Sequence, residues 1–168
     1  TTDTYNFLGY STKGGANWRI DDTHNVFANV GYFEKAANFD AVFQNFNNES
    51  INADAENQKI FSVEFGYGLR TENFSANLNV YRTEWQDRTF TDSYVSQSGT
   101  NFIANILGVD ALHQGVEFDF SYRPLSILSF TGMVSVGDWT WNNDLYDTPI
   151  FDEDQNIAAI TDLLIKGV

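Results

Sequence analysis

Two strictly alternating runs joined by a three-residue break constrain this chain more than anything else in it. In IFSVEFGYGLR, Phe61, Val63, Phe65, Tyr67 and Leu69 alternate with Ser62, Glu64, Gly66, Gly68 and Arg70. In FSANLNVYRTEWQD, Phe74, Ala76, Leu78 and Val80 alternate with Ser75, Asn77, Asn79 and Tyr81. A strand sends successive side chains to opposite faces, so each run has one apolar face and one polar or tiny face. Thr71-Glu72-Asn73 between them suits only a tight reverse turn, and Asn tolerates the left-handed backbone such turns need. The pair is expected to form a β-hairpin with one greasy side. Whether that side meets a protein core or lipid decides the fold class.

Composition narrows the choice. The chain has 168 residues and no cysteine, which excludes a disulfide framework and thiolate metal sites. A net charge of -14 excludes nucleic acid as a partner, because nine basic residues cannot neutralise a phosphate backbone. Aromatics reach 16% although the mean hydropathy is below zero, which fits half-buried strands. No apolar run is long enough for a membrane-spanning helix. No basic-then-apolar signal peptide opens the chain, so a secreted protein would need an N-terminus beyond Thr1.

Alternation predicts strands over about 8–20, 26–33, 60–70, 74–87, 114–122 and 128–138, with another beginning near 157. Residues 34–58 hold five acids and eight Asn or Gln without a sustained period, and read as a long loop. Alternation is lost again over residues 88–113, which read as a second long connection. An acidic third one follows residue 138. The connections at 21–25, 71–73 and 123–127 are short. In an up-and-down meander, short turns then gather at one end of the strands and long loops at the other. That asymmetry, with outward apolar faces, is the pattern of outer-membrane barrels. Trp18, Tyr32, Tyr67, Tyr122 and Trp139 lie near strand ends, where interfacial aromatic belts are expected. A soluble carbohydrate-binding β-sandwich is the alternative, since its strands alternate too.

GGANWRIDDTHNVFANVGYFEKAANFDAVF, IFSVEFGYGLRTENFSANLNVYRTEWQDRTF and GVDALHQGVEFDFSYRPLSILSFTGMVSVGDW together resemble the β-barrel of TonB-dependent outer-membrane receptors, and most closely those of Bacteroidetes-type bacteria. Glu64 within an apolar strand, Trp85 and Asp87 after the strand-turn-strand, and Gly115-Val116-Glu117 carry the likeness. The resemblance implies a fold that is all-β: an antiparallel up-and-down meander, a partial section of a transmembrane β-barrel. In the family a barrel of about 22 strands surrounds an N-terminal plug. An inner-membrane energy-coupling protein, TonB, acts on that plug, and the cargo is a siderophore, cobalamin, glycan or peptide. The expected surroundings are outer-membrane lipid and lipopolysaccharide, and the expected location is the cell outer membrane. The chain offers too few strands to close a barrel, so it is expected to be one internal region, residues 1–168, without the plug. A plug-less porin-like barrel is the remaining rival.

No enzyme motif emerges. His24 falls in a short turn and reads as solvated. His113 has Asp110 nearby but no nucleophile, and reads as a structural hydrogen-bonded histidine. Asp152-Glu153-Asp154-Gln155-Asn156 resembles the start of a calcium loop, yet Ile157 and Leu163 stand where such a loop needs Gly and a bidentate Glu. It reads as a solvated acidic loop, and neither a metal nor a cofactor is expected. Glu64 and Glu117 read as wall charges paired with Arg70, Arg19 or Arg123. Trp139, Trp141 and Tyr94 are the candidate ligand contacts, because exposed aromatic faces bind sugars and chelates.

Overall fold

The computed structural model of the chain describes residues 5–43, 51–154 and 156–168. Among them are eight strands and one helical turn. In chain order they are β1 (Ser11–Arg19), β2 (His24–Lys35), α1 (Phe39–Val42), β3 (Gln58–Arg70), β4 (Phe74–Val95), β5 (Asn101–Leu125), β6 (Leu128–Trp141), β7 (Leu145–Asp152) and β8 (Ile157–Leu163). The eight strands belong to one antiparallel sheet in meander order. β6 pairs with the C-terminal part of β5, from Ala111 to Leu125, and β7 with its N-terminal part, at Phe102–Ala104. β6 and β7 thus run end to end along the same neighbour, and β8 is the return strand.

The register fixes what each face presents. Directly paired residues share a face. Trp18, Val26, Tyr67, Leu78, Phe118 and Val134 form one cross-sheet row, and Ala16, Ala28, Phe65, Val80, Val116 and Val136 the next. No second sheet covers these rows among the described residues. Phe65 is 56% exposed, Leu78 43%, Phe118 39% and Val134 62%. A sandwich would seal them, so the soluble-sandwich alternative fails. A large uninterrupted apolar face left bare on a folded sheet marks a lipid or partner surface.

This apolar band does not run perpendicular to the strands. On β2 and β3 it rises to the paired Tyr32 and Phe61. In the same row β4 and β6 present Glu84 and Thr140, and below them Arg82, Gln114 and Asp138 are linked by hydrogen bonds of 3.2 Å. On β4, β5 and β6 the uninterrupted apolar run therefore stops at Val80, Val116 and Val136.

The opposite face is polar. Asn29 and Asn79 both donate to the Glu64 carboxylate, Asn77 donates to Asp119 at 2.9 Å, and Asn25 to Asn17 at 3.0 Å. Glu64 is held by amides rather than by an arginine, and neither it nor Glu117 forms an ion pair among the described residues. A same-face Asn on each neighbouring strand lies within reach, whereas Arg70 and Arg19 sit at the strand ends. Small residues let side chains lie flat on this wall: the Phe27 ring covers Gly66, leaving no room for a Cβ.

Several boundaries differ from the sequence reading. β1 opens at Ser11 rather than near residue 8. His24 is the first residue of β2 rather than a solvated turn residue, and its Nδ1 meets the Tyr67 hydroxyl. The largest difference is at residues 88–113, which are not an irregular loop. β4 continues to Val95 and β5 begins at Asn101, so the two form one long hairpin. Two bulges hide it. Asp87 (φ 55°) and Gly108 (φ 73°) adopt left-handed backbone, and each shifts the alternation while pairing continues. The Asn143 side chain stitches the second bulge, donating to Gly108 O at 2.7 Å and accepting from Asp110 N at 2.9 Å. The acidic segment after residue 138 likewise contains a strand, β7.

Between β2 and β3, α1 and its flanks fold back on the hairpin base. Val42, Phe43 and Ala55 form a small core with Phe7 and Ala37. Asn38 Nδ2 reaches Thr89 O at 3.3 Å. Residues 44–50, part of the asparagine-rich stretch, lie outside the described residues. So does Gln155. In the acidic loop around it, Asp152 Oδ1 accepts from the backbone N–H groups of Asp154 (3.0 Å) and Asn156 (2.9 Å), forming a compact turn.

Candidate functional site: an aromatic nook on the polar face

The polar face changes character toward the long-loop end. Tyr81 pairs with Gly115 and Gly115 with Gly137; Thr83 pairs with His113 and His113 with Trp139; Trp85 pairs with Ala111 and Ala111 with Trp141. Tiny residues sit between bulky ones, so the large rings spread over their neighbours. At Gly115 and Gly137 a Cβ would strike Tyr81 or Trp139. Trp139 Nε1 donates to the Tyr81 hydroxyl at 3.0 Å, which fixes the indole plane across the sheet.

Trp139 was expected in the interfacial belt, and the register overturns that. It shares a face with Ser62 and Lys13, opposite to Val134 and Val136. Trp18, Tyr32, Tyr67 and Tyr122 do lie on the apolar face. Parity along β6 already carried the signal, since Trp139 continues the row of Ser135 and Gly137.

The rings form a connected group. The His113 ring lies between Trp85 (centroids 6.2 Å apart) and Trp139 (5.7 Å). Phe90 meets Trp141 edge-on at 5.6 Å. Arg88 reaches into the middle: its guanidinium carbon is 4.8 Å from the Trp85 ring centre, 4.9 Å from Phe90 and 5.5 Å from Trp141. Contacts of this kind stabilise a cation by about 0.5–2 kcal/mol each. The first bulge produces the arrangement, turning Asp87 toward Lys59 (2.8 Å) and Arg88 toward the rings.

Electrostatically the nook is half-buried and cationic. Burial lowers the Arg88 pKa, although the guanidinium stays charged at any ordinary pH. Burial, and then the Arg88 charge, push His113 below its ordinary value, so its imidazole is neutral near pH 7. His113 makes ring contacts rather than the structural hydrogen bond expected from its sequence neighbours.

Of the three candidate ligand contacts, Trp139 and Trp141 belong to this nook and Tyr94 does not. Tyr94 lies further along β4, stacked on Phe102 at 5.0 Å with ring planes 17° apart. It lines a separate small cavity of about 160 Å³ with Ile106, Thr148 and Ile150. Trp85, Arg88, Phe90 and Tyr81 were not singled out as site residues: the bulge at Asp87 breaks the alternation that would have placed Arg88 and Phe90 on the polar face, whereas Tyr81 and Trp85 lie on it by unbroken alternation. Among the described residues no three metal-ligating side chains gather.

Comparison with known proteins gives one result. The family pattern described as "TonB dependent receptor-like, beta-barrel" matches residues 1–165. No curated protein and no solved structure matches the chain. The bare apolar face, the polar opposite face, the meander topology and this match over nearly the whole length agree: the chain belongs to the TonB-dependent receptor β-barrel family, whose members are outer-membrane transport receptors.

Proposed function

We propose that this chain forms wall and outer loops of an energised uptake channel, and that cargo touches its polar face at Trp139 and Trp141. The observation that carries this reading is the exposed indole of Trp139, 64% accessible and braced by Tyr81 on the face opposite the apolar band. The apolar rows of β2–β6 face hydrocarbon, and the Glu64, Asn79 and Asp119 side lines the lumen. Tyr94, near the hairpin tip, is a separate outer contact. The plug, and coupling through it to TonB, belong to parts of the receptor beyond this chain. The acidic outer turns meet lipopolysaccharide through bridging divalent cations.

The cargo is a siderophore, cobalamin, glycan or peptide. A receptor-deletion strain grown on a ferric hydroxamate, cobalamin, oligosaccharides or peptides identifies which uptake depends on the receptor and on proton-motive force. Replacing both Trp139→Ala and Trp141→Ala in the full receptor is expected to lower that uptake about tenfold or more at unchanged outer-membrane abundance, since stacking on an aromatic ring contributes about 1–3 kcal/mol. Undiminished uptake would refute the assignment of the site.

A further inference from the structure

Arg88 is set apart from the other described cations of an acid-rich chain by the three rings around it. With 23 acids to nine bases, an exposed cation has many carboxylates to choose from. Lys59 takes Glu56 and Asp87, and Arg82 takes Glu84. Arg88 takes none. No hydrogen bond or ion pair engages its guanidinium among the described residues; only three ring faces do. Its sequence neighbour Asp87 is committed to Lys59, and Asp110 accepts from the Asp87 backbone N–H at 3.1 Å. A second donor in the nook is also unmatched: the buried Trp85 Nε1 has no acceptor. An unpaired buried donor is costly and rare in native structures, so Trp85 Nε1, with the unpaired guanidinium of Arg88 against its ring, points to an acceptor that arrives from outside.

The geometry narrows that acceptor. The guanidinium carries five N–H groups, and the rings around it offer none of them a conventional acceptor. A planar fork matches a carboxylate bidentately, at roughly twice the strength of neutral hydrogen bonds. Beside it, the exposed Trp139 indole offers a flat platform to a ring. We propose that the nook takes the carboxylate of a ring-bearing acid, an acidic sugar unit or an aromatic acid, with Arg88 as the anchor and Trp139 as the platform. This rests on the lumenal reading of the polar face given above and adds the chemical class of the cargo.

The test uses the full-length receptor in detergent, with binding measured by calorimetry and tryptophan fluorescence. The probes are an oligogalacturonide with its neutral galacto-oligosaccharide of equal length, and benzoate with benzamide. At least one acid is expected to bind about 10- to 100-fold more tightly than its neutral partner, a preference that weakens as salt is raised. Arg88→Gln is expected to abolish the preference, and Arg88→Lys to keep part of it, as a point charge without the fork. Trp139→Ala is expected to weaken acid and neutral probes by the same factor. Heat-modifiable migration on gels reports that each variant is folded. Equal binding of acid and neutral probes, no binding of any probe, or a preference that survives Arg88→Gln would each overturn the proposal. Those failures, with uptake still dependent on Trp139 and Trp141, would leave the lumenal cargo site standing and remove only its preference for acids. Uptake indifferent to the two tryptophans would remove the site itself.

Discussion

At the scale of single residues, alternation made most of the wall readable. Phe65, Leu78, Phe118 and Val134 form the outward rows that their spacing implied, and Glu64 and Asn79 form the inward ones. What spacing could not supply was the partner of a side chain. Glu64 looked like half of an ion pair, and the register instead gives it amides from Asn29 and Asn79. Asp21 shows how one carboxylate organises a short turn. It accepts from Thr23 N at 2.7 Å and His24 N at 2.8 Å, and these backbone hydrogen bonds, in that order, hold its pKa below the ordinary value of 3.8. A group whose pKa is lowered by folding stabilises the fold above its unfolded pKa. That contribution is lost as pH falls through 3.8 toward the lowered value. Asp21→Ala is therefore expected to speed amide exchange at Thr23 and His24 at neutral pH. As the pH falls from 3.8 through the lowered value, the wild type is expected to approach the variant.

At the scale of elements, the β4–β5 hairpin was the least legible part. Its two bulges shift the period, so a search for strict alternation ends at Asp87 and resumes only near Gln114. The missed arm carries Arg88 and Phe90 of the nook, and Tyr94 beyond it. The bulge at Gly108 is where the arm is most sensitive. A φ of 73° suits glycine, while a Cβ there costs about 1–2 kcal/mol. Gly108→Ala is expected to loosen the hairpin beyond the bulge and leave the membrane-facing strands intact. Hydrogen exchange would then rise over residues 88–107 and stay unchanged over residues 74–84. Uniform loosening of β4 would contradict the division of the hairpin into a wall and an arm.

At the scale of the whole molecule, the sheet has two surfaces for two solvents, and one residue of register separates them. Val134 lies beside Phe118 in the apolar row, and Ser135 beside Glu117 in the polar one. Val134→Arg is expected to cost about 2–4 kcal/mol in a bilayer and to lower assembly into the outer membrane. Ser135→Arg is expected to assemble normally, because its side chain reaches water. Assembly yield, read from the folded fraction in outer-membrane preparations, distinguishes the two. Equal defects would show that Val134 does not meet hydrocarbon.

The uneven upper limit of the greasy surface has a geometrical corollary. That limit is level across β4, β5 and β6, which all stop in the Val80–Val116–Val136 row, and it drops from β3 to β4 by the four residues between Glu84 and Val80, about 13 Å. A two-residue slip of β4 against β3 would betray itself as a change of about 7 Å in the height of that drop.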